Sequence, residues 1–392
     1  MNHEPKPLTI RIITRRAGYN YGSSLQAYAM QRIVEKQGYP NLILDYDEYS
    51  RKLLWRLRPC IEDFAFRVMR FAPQFFLRLC RRKYHELCER DVLVKKFNNF
   101  EKSYLKLTLD KYRNSRMLAA GLEDCDLCIC GSDQIWSPLL FDPAMYLDFC
   151  KEISTKTIAY APSFGVSVVD LHRKEIQDLL AGINCISIRE REGAKIIREL
   201  TGREAPVVLD PTLLLEANDW RAIAKPPERT VPYILCYFLG KSLIPYQFLA
   251  KLRQETGYEL LNVCTFRTRN DIPGVQEFSM SPDEFIGAVS NAAFVCTDSF
   301  HGTIFSILFE RQFFTFERFG QEPTSQNSRI YTLLDQLGLS GRLVPSDQGY
   351  DRDVQPIEYG VVGAALQRNR KTSLEFLETA LCRLTAETDD GT

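Results

Sequence analysis

Residues 292–318 read AAFVCTDSFHGTIFSILFERQFFTFER, and this stretch decides the fold. AAFVCTDS is an apolar run of strand length that ends on polar residues. HGTIFSILFE is long enough for a helix, and RQFFTFER is a second strand-like run. A strand, a helix and a strand in immediate succession pair in parallel through a right-handed crossover. The alternation continues upstream. YILCYFL (233–239) and YELLNVCTF (258–266) read as strands. IPYQFLAKLRQETG (244–257) reads as a helix, and SPDEFIGAVSNA (281–292) as a helix opened by a capping box of Ser281 and Glu284.

Before PPERTVP (226–232), whose three prolines in seven residues mark a linker, the first half shows the same pattern. LTIRIIT (8–14), NLILDY (41–46), CDLCICGSD (125–133), TKTIAYAPS (155–163), CISIRE (185–190) and APVVLDP (205–211) are strand-like. SSLQAYAMQRIVEKQG (23–38) and REGAKIIRELTG (191–202) are helical. The fold class is therefore α/β, with two open parallel-sheet domains in tandem facing a cleft. The boundaries are 1–225, with a basic helical insertion about 51–105, then 226–363, then a helical tail 364–392 that is placed to cross back onto the first domain.

The 392 residues are 45% hydrophobic and 26% charged, a globular composition long enough for two domains. Lys+Arg 50 balances Asp+Glu 50, which gives no sign of a nucleic-acid partner. The start, MNHEPKPLTIRIITRR, has no apolar signal region, so a cytoplasmic location with reduced cysteines is expected. Cys128, Cys130, Cys236 and Cys296 lie inside strand-like runs and read as small buried apolar residues. Cys125, Cys128 and Cys130 fall short of the four ligands of a closed zinc site, and an extended strand would point Cys125 away from the other two. No metal site is read from the sequence.

Ligands of open parallel sheets bind beyond the carboxyl ends of the strands. Three loops there carry chemistry. In RAGYNYGSS (16–24), Asn20, Tyr21 and Gly22 precede a helix that Ser23 or Ser24 can cap, suiting a hydroxyl-rich or anionic ligand. In GSDQIW (131–136), Ser132, Asp133 and Gln134 can hydrogen-bond sugar hydroxyls. Trp136 can stack on a sugar face or sit in the core, and Asp133 can take a proton from an attacking hydroxyl. In TDSFHGT (297–303), His301 stands beside Gly302 and Thr303 at a helix start, where an anion is favoured and an imidazole can give a proton. Arg189 and Arg329 are forked cations suited to a carboxylate or phosphate, or to an ordinary ion pair.

YNYGSSLQAYAMQ, DLCICGSDQIWSP, TIAYAPSFG, ISIREREG, VVLDPTLLL, TDSFHGTIFSI and NSRIYTLLDQLGL, spanning 18–339, together resemble the polysaccharide pyruvyl transferase family. The resemblance implies a fold like the GT-B glycosyltransferases, with two Rossmann-like domains. It implies phosphoenolpyruvate as donor and co-substrate with no further cofactor, a sugar of a surface-glycan precursor as acceptor, and a pyruvyl ketal plus phosphate as products. His301 takes the place of the family's His-Gly histidine, as donor ligand and acid. Arg189 takes that of the SIRE arginine, as a donor clamp. Some members carry an arginine two residues before the histidine. Here Ser299 stands there, and Arg329 or Arg318 is left to supply the second cation. Ser299, Gly302, Thr303 and Arg329 are thus the expected donor contacts, and Asn20 to Gly22 with Ser132 to Trp136 the acceptor contacts.

Residues 51–83 hold ten Lys or Arg interleaved with Trp55 and several Phe. Such a stretch packs its apolar side on the first domain or lies on an anionic membrane as a peripheral contact, which suits a lipid-linked acceptor. Two other functions stay open at this level. One is a glycosyltransferase using a nucleotide sugar; the other is a non-catalytic member of a glycan-assembly complex.

Overall fold

The computed structural model describes residues 8–16, 18–47, 91–122, 125–153, 155–240, 245–265, 272, 275–318, 327–345 and 355–389. The basic stretch 51–83, and with it the expected membrane contact, lies outside the described residues.

The described chain forms two six-stranded sheets, and every pairing between named strands is parallel. The first holds β1 (Ile10–Ile13), β2 (Asn41–Tyr46), β3 (Leu107–Tyr112), β4 (Leu127–Cys130), β5 (Lys156–Ala159) and β6 (Cys185–Ile186), in the order β3-β2-β1-β4-β5-β6. The second holds β7 (Tyr233–Tyr237), β8 (Glu259–Val263), β9 (Glu277–Phe278), β10 (Phe294–Thr297), β11 (Gln312–Phe316) and β12 (Leu343–Val344). Its order, β9-β8-β7-β10-β11-β12, repeats that of the first. This is the doubly wound dinucleotide-fold order twice over. Its direction of winding reverses between β1 and β4, and again between β7 and β10.

Central strands of such sheets are covered on both faces, so they are apolar without alternation. LCIC of β4 and YILCY of β7 are buried at every position. Helix Pro282–Asn291 opens on the expected capping box, with the Ser281 amide donating to Glu284 Oε2 at 2.8 Å. Two readings are corrected. APVVLDP makes no strand: only Val207 pairs, in one parallel bridge to Ile188, because Pro206 and Pro211 remove ladder donors on either side. Cys125 does not point away from Cys128. It precedes β4 in a turn, and the two sulfurs lie 3.5 Å apart. The helix 91–104 occupies the end of the region read as one helical insertion, and the strand Leu107–Tyr112 lies just after it.

One apolar core runs through both sheets. Tyr21 stacks on Phe285 at 4.6 Å, and Trp220 meets Phe305 edge-on at 4.9 Å. The Tyr21 hydroxyl donates to the carbonyls of Met280 (3.1 Å) and Cys264 (3.2 Å), beyond the second sheet's strands. Helix Tyr359–Asp389 begins against the second sheet, where the Tyr359 hydroxyl donates to Arg311 O, and runs onto the first. There Arg370 donates to the carbonyls of Leu213 and Leu215, and the Leu209 amide donates to Ser373 Oγ at 2.9 Å. The two reversal points face each other across the gap that these contacts close.

Candidate active site

Each reversal point presents a polar turn to that gap. After β1, Asn20 is in an extended conformation and its side chain accepts from the Ser23 amide. Asn20, rather than Ser23 or Ser24, is therefore the cap of helix Tyr21–Lys36. Ser23 is left to donate from Oγ to Asp133 Oδ2 at 2.6 Å. After β4, Ser132 donates to the Ala161 carbonyl (2.6 Å) and lies 3.1 Å from Asp210 Oδ2. After β10, Ser299 caps helix Phe300–Leu308 by accepting from the Gly302 amide, and His301 sits in its first turn.

Asp210 joins these groups. Its carboxylate is fully buried. Oδ1 accepts from the Thr212 amide (3.0 Å) and hydroxyl (2.7 Å), and Oδ2 accepts from Arg189 Nη1 at 2.7 Å. Across the gap His301 Nε2 is 3.6 Å from Asp210 Oδ2, an ion pair when the ring is protonated. Arg189 Nη2 lies 3.7 Å from Asp133 Oδ1. Burial pushes the Asp210 carboxyl up, but His301, Arg189 and Thr212 outweigh it and hold it well below the carboxylate range. Asp133 is likewise lowered: burial opposes, and Arg189, His301, Arg15 and Ser23 prevail.

A second group surrounds Phe300. The Arg189 guanidinium lies 4.4 Å from the ring centroid and that of Arg329 5.6 Å, both in cation–π range. Burial and the neighbouring Arg189 push the Arg329 pKa down to about 9, so it stays cationic at neutral pH. Glu190 accepts at Oε1 from Ser163 and the amides of Phe164 and Gly165; burial raises its pKa against the pull of Arg189 and Arg329. Arg189 Nε and Nη2, Arg329 Nε and His301 Nε2 are buried atoms with no hydrogen-bond partner. Buried donors are ordinarily paired. Two of these four stand against carboxylates just beyond hydrogen-bond reach, Arg189 Nη2 on Asp133 and His301 Nε2 on Asp210, which leaves Arg189 Nε and Arg329 Nε as the unpaired donors of a buried cationic cluster.

The structure brings Arg189, Ser299, His301, Gly302, Arg329, Gly22, Ser132 and Asp133 to this one place. Two expected contacts belong to the core, and the side chain of a third packs on a neighbouring glycine. Trp136 is fully buried, donates its indole N–H to Met145 O (3.0 Å) and stacks on Tyr146 at 5.2 Å; it is core and has no face for a sugar. Thr303 is buried inside its helix, bonded to the Ser299 carbonyl and the Thr315 hydroxyl. Gln134 turns its side chain onto Gly165, where a Cβ would come within 1.9 Å. Asp133, with its lowered pKa, is a charge partner of Arg189 and a poor proton acceptor. Sequence reading missed Asp210, although an acid at the end of a strand-like run, followed by a proline at a helix start, is the same signal that singled out the other loops. Phe300, between the strand-like run and the helical one, was given no role.

Gly22 explains a requirement of the first loop. A Cβ there would lie 2.0 Å from His301 Nδ1. Gly22→Ala is expected to displace the imidazole and lower kcat by about 10²-fold, the cost of an ångström's misplacement, with little change in circular dichroism.

Two six-stranded doubly wound sheets facing a shared gap define the GT-B architecture. UGT89C1 of Arabidopsis thaliana, solved with UDP-L-rhamnose, shares it, with a TM-score of 0.50 at 11% identity over 96% of this chain and 100% of that one. The UDP-GlcNAc 2-epimerase of Methanocaldococcus jannaschii (TM-score 0.47, 10% identity, 92% of each chain) and the glycosyltransferase SnogD of Streptomyces nogalater (0.46, 11%, 97% and 99%) are further similar structures. Among curated proteins nothing matches. The sequence model of the polysaccharide pyruvyl transferases matches residues 20–318, and the chain belongs to that family. Among the described residues no helix is long and apolar enough to cross a membrane.

Proposed function

We propose that the protein transfers a pyruvyl group from phosphoenolpyruvate to two hydroxyls of one sugar in a cell-surface polysaccharide precursor, giving a cyclic ketal and phosphate. The observation that carries this reading is the buried cluster of Arg189 and Arg329 about Phe300, each with an unpaired Nε, and His301 beside that ring. Phosphoenolpyruvate presents a carboxylate and a phosphate on one carbon, and forked guanidinium donors match both groups. The donor comes from intracellular metabolism, which puts the reaction on the cytoplasmic side.

In this reading the methylene carbon takes a proton from His301 and the adjacent carbon becomes electrophilic. One sugar hydroxyl bonds to that carbon. The second then attacks it and phosphate leaves. One hydroxyl proton replaces the proton given by His301, and the other departs with phosphate, so the balance closes. Arg189 and Arg329 meet the charge on the leaving phosphate, in a site where no water need reorganise. Asp210 holds Arg189 and faces the imidazolium. Arg329, on the helix Ser328–Gln336, supplies the cation that Ser299 does not.

The test is ligand-induced thermal stabilisation. Phosphoenolpyruvate at 100 times its Kd is expected to add about 2.7 kcal/mol to stability, and an Arg189→Met variant to lose that response. Stabilisation by UDP-sugars alone would replace this reading with glycosyl transfer.

A further inference from the structure

The first sheet carries an apolar surface that the site does not use. Three of the ten large apolar side chains exposed among the described residues, Leu139 (56%), Val168 (48%) and Leu171 (53%), fall on two loops. One loop, 137–142, continues the turn after β4. The other, 164–172, follows β5. The Phe141 and His172 rings stack between them at 4.3 Å, so the two loops form one surface. It lies at the carboxyl end of the first sheet, the end that faces the gap.

Apolar residues exposed singly are ordinary, but a cluster of them on fixed backbone marks an interaction surface. The backbone here is fixed. Val166 and Val169, from the same loop as Val168 and Leu171, are buried in the first domain's core with Trp136 and Phe164. Asp142 accepts from the Ala144 amide at Oδ1 (3.1 Å) and from the Tyr46 hydroxyl at Oδ2 (2.7 Å). The loops thus fill the core with some of their apolar residues and turn Leu139, Val168 and Leu171 outward.

The place where the chain leaves the described residues points to what covers this surface. Tyr46, bonded to Asp142, ends β2, and Asp47 is the last described residue before 48–90. The sequence that departs beside the patch holds ten Lys or Arg at 51–83 against Glu62 and Asp63. The charged residues next to Leu171 cancel, Asp170 and Glu175 against Arg173 and Lys174. An apolar surface beside a strongly basic stretch complements a lipid surface with anionic headgroups. The apolar side chains enter the boundary between headgroups and acyl chains, and the basic residues are drawn to the negative surface potential. We propose that Leu139, Phe141, Val168 and Leu171 seat the protein on an anionic phospholipid membrane, with the gap opening beside the bilayer. This proposal does not depend on the pyruvyl-transfer reading.

Flotation of the full chain with vesicles tests it. Vesicles of equal parts phosphatidylglycerol and phosphatidylcholine are expected to carry the protein up a density gradient, and vesicles of phosphatidylcholine alone to carry far less. Leu139→Ser and Leu171→Ser should each weaken binding about ten-fold, the effect of withdrawing one leucine from the headgroup–acyl boundary. Val361→Ser removes an apolar side chain that is more exposed (74%) but stands on the helix Tyr359–Asp389, and should leave binding unchanged. Absence of the unaltered protein from the floated fraction would overturn the proposal. So would equal flotation with the two kinds of vesicle, or undiminished flotation of the Leu139→Ser, Leu171→Ser double variant. A lower denaturation midpoint in the leucine variants with vesicle binding intact would assign the patch to cover by the chain itself, and dissociation of an oligomer would assign it to a second copy. Either result replaces the membrane. Stabilisation by phosphoenolpyruvate is read separately, and its failure would leave this proposal standing.

Discussion

Replacing His301 by Gln is expected to lower kcat by about 10²–10⁴-fold, the range of a lost general acid, and to leave phosphoenolpyruvate bound. Glutamine keeps a polar side chain of similar reach beside Gly22 and Asp210, so the cradle persists while the transferable proton is gone. Turnover is measured as phosphate release with the surface-glycan precursor fraction of cells lacking the protein. The cells themselves give a second readout: mass spectrometry of their glycan should show one pyruvyl ketal per repeat with the unaltered chain and none with the variant. A kcat within threefold of the unaltered enzyme would remove His301 from the chemistry. The expected split is specific, because a donor clamp would show instead as weakened binding. In the proposed reading Arg189 and Arg329 hold that role, their guanidinium groups 4.4 and 5.6 Å from the Phe300 ring centroid.

The reasons the fold was legible are local. Strands buried on both faces leave unbroken apolar runs such as LCIC and YILCY, and helices between them carry caps that can be read residue by residue. APVVLDP misled because apolar composition cannot show that its flanking prolines have removed the ladder donors. Leu107–Tyr112 was missed because an edge strand with exposed Leu109, Asp110 and Lys111 has no buried face to impose a pattern. For the site, His301 and Arg189 could be found from type and position. Their partner could not be ranked: Asp210 lies 21 positions from Arg189 and meets His301 only once the two sheets face each other. Trp136 shows the opposite failure. Its indole N–H finds the Met145 carbonyl within its own loop, so a residue that suits a sugar face is spent on the core.

Asp210 is where stability and the site meet, and its removal has a pH signature. The carboxyl is lowered in the folded chain, against about 3.9 in an unfolded one. A carboxyl lowered by folding contributes stability that is fully present above the unfolded value and lost as pH falls through the folded one. Asp210→Asn leaves the Arg189 guanidinium, 1% exposed, without its nearest counter-charge, and breaking such a buried pair costs about 3–5 kcal/mol. Chemical denaturation at pH 7 should show that loss. Below about pH 4 the gap between the two proteins should narrow, because the unaltered chain is then giving up the same interaction. Glu199→Gln, which breaks the exposed pair with Arg173, is the control and should change stability by less than about 1 kcal/mol at either pH. Parallel stability curves for Asp210→Asn and the unaltered chain would show that this carboxylate links nothing across the gap. The charge of Arg189 would then be balanced by Asp133 at 3.7 Å, which also acts on His301, with Glu190 acting at longer range.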